Sequence, residues 1–302
     1  MPRPQNELTL SQIRYFVRAA ELGSMTEAAG ELFVAQSAIS TAISHLEASL
    51  GCKLLVRQRS RGVVLTEQGR SFYTRAMSVL HGLDDAVDSV RPEQLSGWLT
   101  AGCFTTLAPF WLPEVYDALT SKYSDLTVRI REVTADQIHP LLLRRELEIA
   151  LTYSFDYGRE VTFEPICEAP IYAAVADASP LAARESITLE ELADEPLILL
   201  DLGKSTNYFL SIFREARLQP QVHQRFESFE VVRSMVARGH GYTLLNQRPA
   251  HDLTNDGGRI ARLRIDGARS LLQIGLAYRS GEALSRKGQA FADECRRIFS
   301  DD

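Results

Sequence analysis

At 302 residues, 45% of them hydrophobic and 24% charged, the chain has the composition of a folded protein of two or three domains, which excludes a disordered or fibrous chain. No apolar run approaches the ~18 residues of a membrane span, and the opening MPRPQNELTL lacks a signal-peptide core, so a cytoplasmic protein with no membrane partner is expected. The formal net charge of −6 is unevenly placed: from Lys53 to Arg75 six basic residues face one acid, Glu67, whereas beyond Arg91 23 Lys and Arg meet 30 Asp and Glu. Such a basic patch suits a small DNA-touching module, although a solvated loop would look the same.

In chain order, LSQIRYFVRAAEL sets Leu10, Ile13, Phe16, Val17 and Ala20 on one face of a first helix. Ser24 and Glu27 have capping-box spacing, which starts a short helix from about Met25 to Glu31. Leu32, Phe33 and Val34 then turn the chain into AQSAISTAISHLEASLG, where Ile39, Ile43, Leu46 and Leu50 form an apolar stripe and Gly51 is a natural stop. The outer face of that helix holds Gln36, Ser37, Ser40, Thr41, Ser44 and His45. Three short helices with a tight turn describe a helix-turn-helix unit. The small hydroxyl and amide side chains permit close approach to a major groove and can donate and accept hydrogen bonds there. Close packing against a protein helix would use the same residues.

LLVRQ and GVVLT resemble two strands of a hairpin joined through Arg59, Ser60, Arg61 and Gly62. Its arginines, Arg57, Arg59 and Arg61, would lie along the sugar-phosphate backbone. From Thr66, a plausible N-cap, one long helix is expected as far as Pro92. Phe72, Ala76, Val79, Leu83, Ala86 and Val90 recur on it with the alternating spacing of a coiled-coil seam. A stripe so narrow favours a partner helix from a second copy, with packing on the body of the same chain as the alternative. A dimer would select a roughly palindromic site in double-stranded DNA.

From Leu10 to Gly69 these features resemble the winged helix-turn-helix of the LysR-type bacterial transcriptional regulators. The likeness lies in the S-x-T-x-A-A helix start, the A-I-S core of the third helix, its H-L-E-x-x-L-G end, and the L-T-E-x-G that opens the long helix. It extends more weakly over the rest of the chain. The resemblance implies an α/β chain with an N-terminal winged helix-turn-helix (about 8–66), a long dimerising linker helix (67–91) and a C-terminal effector-binding domain (96–302). That last domain would resemble periplasmic binding proteins, and many members of the family form tetramers. Some positions depart from the family pattern. Ala35 stands where a Ser usually caps the third helix, Ser37 replaces a common Pro, and Thr41, Ser44 and His45 occupy positions that are often basic. Base contact is therefore expected from Gln36, Ser37, Ser40, Thr41 and Ser44, with Arg57, Arg59 and Arg61 supplying phosphate affinity.

Beyond Pro92, strand-like runs at WLTAGCF, LTVRIREV, IALTY, APIYAAVA, PLILLD and LLQIGLAY alternate with helical stretches, which predicts an α/β domain with largely parallel sheets. The family's arrangement would divide it into one subdomain at about 96–167 plus 270–302 and another at about 168–269, with a ligand in the cleft between them. Thr105 and Thr106 follow one strand and precede a helix, the outline of an anion or carboxylate pocket. The resemblance places effector contacts at Thr105, Thr106, Thr134, Leu202 or its neighbours, and Phe226 to Ser228. The expected effector, a small organic acid, would then meet Asp201 and Glu227, which is unfavourable unless these are paired.

Enzymatic readings are weaker. LDLGKST ends like a phosphate-binding loop but lacks the required upstream Gly, the six histidines form no close ligand pair, and no Ser sits in a GxSxG elbow. The four cysteines (Cys52, Cys103, Cys167 and Cys295) stand far apart, so no metal, cofactor or redox pair is expected. The competing class is a small-molecule binding protein whose N-terminal helices meet protein instead of DNA.

Overall fold

The computed structural model describes residues 8–58, 62–90, 95–267 and 272–300. Its contacts divide the chain into two units, Met1–Gln94 and Leu95–Asp302. Arg59, Arg61 and the expected subdomain boundary near 269 and 270 lie outside the described residues.

The first unit contains α1 (Leu10–Leu22), α2 (Met25–Glu31), α3 (Gln36–Leu50), β1 (Leu55–Gln58), β2 (Gly62–Leu65) and α4 (Glu67–Ser89). Thr9 opens α1 reciprocally with Gln12: each backbone N–H reaches the other's side-chain oxygen, at 2.9 and 3.2 Å. Ser24 accepts from the Glu27 N–H at 3.2 Å to start α2. Gly51, in the left-handed region at φ 68°, ends α3. Ile13, Phe16, Val17, Ile39, Ile43 and Leu46 meet in one core, as their spacing predicts, whereas Leu10 and Leu50 are exposed and Ala19 takes the buried place expected of Ala20.

Within this unit α4 departs from the expected seam. Its first half lies on the chain's own core: the Phe72 ring stands 5.4 Å from that of Phe16, and Ala76, Met77 and Leu80 are buried there. Phe72 and Ala76 are thus covered without a partner chain, because α4 packs on α1. Further along, Val79, Val87 and Val90 are 50%, 42% and 76% exposed, with Leu83 half-buried and Ala86 exposed. A buried cation, invisible to the hydrophobic pattern, links the helices. Arg18 of α1 pairs with Glu21 and with Glu31 of α2, and the Tyr73 hydroxyl of α4 donates to Glu21 at 3.2 Å.

In the second unit the first lobe contains β3 (Gly97–Phe104), α5 (Ala108–Lys122), β4 (Leu126–Val133), α6 (Ala135–Leu143), β5 (Ile149–Tyr153) and β6 (Val161–Glu168). The chain then builds the second lobe from β7 (Tyr172–Ala176), β8 (Ser186–Thr188), α7 (Leu189–Ala193), β9 (Pro196–Leu200), α8 (Lys204–Glu215), β10 (Gln221–Phe226), α9 (Phe229–Ala237), β11 (Thr243–Leu245) and β12 (Ile260–Asp266). It returns to the first lobe with β13 (Gln273–Arg279) and α10 (Arg286–Ser300). Strand order is β4-β3-β5-β13-β6 in the first lobe and β11-β7-β12-β8 in the second, where β9 and β10 form a separate parallel pair.

The sheets are mixed instead of largely parallel. The returning strand β13 runs antiparallel to both β5 and β6, and β7 runs antiparallel to β11 and β12. A strand that re-enters from the opposite lobe does not arrive by the helical crossover that parallel pairing requires. Among the elements missed in sequence, β10 with its largely exposed QVHQRF buries too little to mark a face.

Candidate nucleic-acid interface and effector cavity

Small side chains let the outer face of α3 stand open. Gln36, Ser37, Thr41, Ser44 and His45 are exposed and Ser40 is half-buried. The Ser44 hydroxyl donates to the Ser40 carbonyl at 2.8 Å, turning back on its own helix. Ala35 supplies no side-chain cap, as its chemistry requires.

Two devices set the hairpin beside this face. The Val63 N–H donates to the Gly23 carbonyl at 2.8 Å, and Gly62, at φ +71°, approaches so closely that a Cβ there would lie 2.2 Å from the same oxygen. On the opposite side, the buried Glu47 carboxylate of α3 accepts from the Leu54 and Leu55 N–H groups at 2.9 and 3.2 Å and from Lys53 at 2.5 Å. Burial opposes the Glu47 charge, but Lys53 and the two amides outweigh it and hold the carboxyl below its ordinary value. The result is a concavity shared by Ser24, Met25, Thr26, Gln36, Arg57 and the Gly62–Val63 backbone. Thr26, at its lip, was not among the expected contacts, although it belongs to the S-x-T motif.

In the second unit a cavity lies between the lobes, lined by Phe104, Thr106, Tyr153, Phe155 and Leu272 from the first and by Leu200, Ser205, Tyr208, Phe209, Phe229, Leu245, Asn246 and Gln247 from the second. Its volume is about 20 Å³, room for roughly one water. Phe104, Tyr153 and Phe155 meet edge-on with ring centroids 5.3 to 5.8 Å apart. Thr106 and Tyr153 share a hydroxyl contact at 3.4 Å, and the Asn246 amide donates to the Ala169 carbonyl at 2.7 Å. Burial pushes the Tyr153 phenol well above its usual range, so it stays protonated.

Among the six expected effector contacts, Thr106 lines this cavity and the other five do not. The Thr105 N–H is held by the Val133 carbonyl at 3.1 Å, and the Thr134 N–H by the Gln137 side chain at 3.0 Å. Leu202 is buried in the core, the Phe226 carbonyl accepts from the Asp201 N–H at 2.8 Å, and Ser228 caps α9 through the Val231 N–H at 3.4 Å. Asp201 is paired, accepting from Thr206 at 2.6 Å and Arg225 at 3.4 Å. Asn246 and Gln247 are polar lining that sequence reasoning passed over, whereas Ser205 ends the stretch Asp201–Ser205 that follows the strand PLILL, a strand end where ligand groups are expected. The signal available was two amides directly after the strand TLL.

The rim is closed by α8. A Cβ on Gly203, the residue capping α8, would lie 1.8 Å from the Asp136 Oδ2 of α6, so a carboxylate already stands at that helix start. Lys204 donates to the Asp156 carbonyl and places its ammonium 5.1 Å from the centre of the Tyr157 ring. Both contacts cross between the lobes.

Among the described residues no group of acids, histidines and cysteines could hold a metal, and no helix is long and apolar enough to cross a membrane. Residues 10–70 match the family model of the bacterial regulatory helix-turn-helix protein, lysR family, and residues 92–300 match the LysR substrate binding domain. A hydrogen peroxide-inducible genes activator of Pectobacterium carotovorum is 28% identical over 294 residues, covering 96% of each chain. The crystal structure of HinK, a LysR family regulator of Pseudomonas aeruginosa, is 30% identical with a TM-score of 0.65, covering 97% of this chain and 99% of that one. A Corynebacterium glutamicum OxyR C206 mutant is 26% identical with a TM-score of 0.67, over 98% of this chain and 93% of that one. With both halves of the chain matched in order and along almost their whole length, this protein belongs to the LysR family: it is a LysR-type transcriptional regulator with an effector-binding domain, not an enzyme.

Proposed function

We propose that the protein binds an operator in double-stranded DNA through the outer face of α3 and the arginines of the hairpin, and that a small molecule held between the lobes modulates this binding. The concavity joining Gln36 to Arg57 carries the first half of this reading, since it brings a base-reading side chain and a phosphate-reading cation to one surface. Arg59 and Arg61, next in sequence to Arg57, add phosphate contacts in this reading, and Ser37, Ser40, Thr41 and Ser44 extend the same helix. Thr105, Thr134, Leu202, Phe226 and Ser228 become supports of the cavity wall and rim. Two copies pair through the outer part of α4, where Val79, Val87 and Val90 are exposed and Leu83 is half-buried, so the operator is roughly palindromic.

Regulation by ligand is favoured over thiol oxidation, the chemistry suggested by the name of the peroxide-inducible relative. No cysteine is among the described residues lining the cavity. Burial, with Glu132 adding to it, pushes the Cys103 thiol up to about 12, and burial likewise holds Cys295 well above its usual range, so neither offers a reactive thiolate.

The test is fluorescence anisotropy with the DNA upstream of the protein's own reading frame, at several salt concentrations, comparing wild type with Arg57→Ala. Binding should weaken steeply with salt, and the variant should lose about one unit of the log–log slope. Binding indifferent to salt, or equal for random DNA and unchanged in the variant, would return the α3 face to protein contact.

A further inference from the structure

Resting on the effector reading of the inter-lobe cavity, we infer that its ligand is an uncharged aromatic molecule bearing an amide, phenol or carbonyl group, not a carboxylate. Among the described residues, none that lines the cavity is charged. The polar groups lining it are neutral: the Thr106, Ser205 and Tyr208 hydroxyls, the protonated Tyr153 phenol, and the Asn246 and Gln247 amides, of which Asn246 donates to Ala169 and Gln247 accepts from Trp111 at 3.3 Å. A carboxylate enclosed by these groups would lose its hydration without gaining a cation.

Two features beside Ser205 that could serve an anion are already engaged. The start of α8, the helix end beside Ser205, faces the chain's own Asp136 carboxylate. Lys204, the cation next to Ser205, is directed away to the Asp156 carbonyl and the Tyr157 ring. An anion arriving there would meet Asp136 before any positive charge.

The apolar lining specifies the rest. Phe104, Tyr153 and Phe155 present tilted ring edges and faces to one space, and Phe229 closes it from α9. Aromatic pairs favour such tilted and edge-to-face geometry, so a flat ring is the shape that can pack against these surfaces. Amide and hydroxyl groups around its edge fix orientation, the usual division in small-molecule sites. At about 20 Å³ the cavity has room for roughly one water, so a ring must part the lobes to enter.

The experiment is calorimetric titration of the full-length protein at neutral pH with three matched pairs: benzamide and benzoate, salicylamide and salicylate, nicotinamide and nicotinate. At that pH each acid is ionised and otherwise near-isosteric with its amide. At least one amide should bind at least tenfold more tightly than its acid, and Ser205→Leu, which narrows the cavity, should abolish that binding. Thr106→Val, nearly isosteric, serves as a second variant and should weaken it several-fold. If the acid equals or surpasses the amide in every pair while the variants still weaken binding, the uncharged class is wrong and the effector reading stands. If no compound binds at millimolar concentration, or binding ignores both variants, the inference fails together with the effector reading of this cavity.

Discussion

The α3 face and the inter-lobe cavity use the same polar side chains, serines, threonines and amides, under opposite conditions. On α3 they stand exposed beside Arg57, where water screens charge and a polyanion can approach. In the cavity they are enclosed by Phe and Tyr rings with no charge among the described lining residues, where each hydrogen bond counts for more and an unpaired ion is costly. Small polar residues therefore carry no fixed function; the dielectric around them decides whether they serve a charged partner or a neutral one.

That contrast can be broken or sharpened by substitution. The largest effect should come from Glu47→Ala, which leaves the Leu54 and Leu55 amides without their acceptor and should cost about 2 to 4 kcal/mol in urea unfolding of the DNA-binding unit. Because the folded carboxyl lies below its ordinary value, its contribution is complete above the unfolded pKa of about 4.5 and lost as pH falls through the folded value. Glu47→Gln should accordingly flatten the acid limb of the stability profile, and an unchanged limb would remove Glu47 from this role.

Gly62→Ala combines a positive φ with a clash against the Gly23 carbonyl and should cost about 1 to 3 kcal/mol. It should also lower DNA affinity by displacing Arg57, while leaving ligand titrations unchanged. A gain of about 1 kcal/mol is expected from Ala35→Ser, which supplies the missing cap of α3, and thermal unfolding would show it. The smallest effect should be on the cavity side: Lys204→Ala releases both of its inter-lobe contacts and should tighten binding of an opening ligand a few-fold. Weaker binding instead would mean that Lys204 touches the ligand.

The difference between the two regions also explains what was legible in sequence. The helices of the first unit, their caps and the exposed face of α3 are encoded within runs of about fifteen residues, so periodicity and capping rules reach them. The cavity draws on segments from Phe104 to Leu272, and nothing local marks Ser205 or Gln247 as neighbours of Tyr153. Arg18 escaped for a related reason: its burial depends on Glu21, on Glu31 in the next helix and on Tyr73 far along the chain. The α4 stripe was recognised, but its division into a half facing α1 and a half facing outward is set by Phe16, which no inspection of α4 alone would reveal.

The contacts from Arg18 to Glu21 and Glu31, and from Glu21 to Tyr73, tie α1, α2 and the root of α4 together. With 23 residues α4 is a rod roughly 35 Å long, close to one turn of duplex DNA. If two copies join along the outer stripe as proposed, the molecule acts as a caliper: the reach between its reading heads is a matter of rod length and crossing point, not of loop conformation. Lengthening that rod by one helical turn would then retune which operator spacings it can grip without altering a single residue that touches a base.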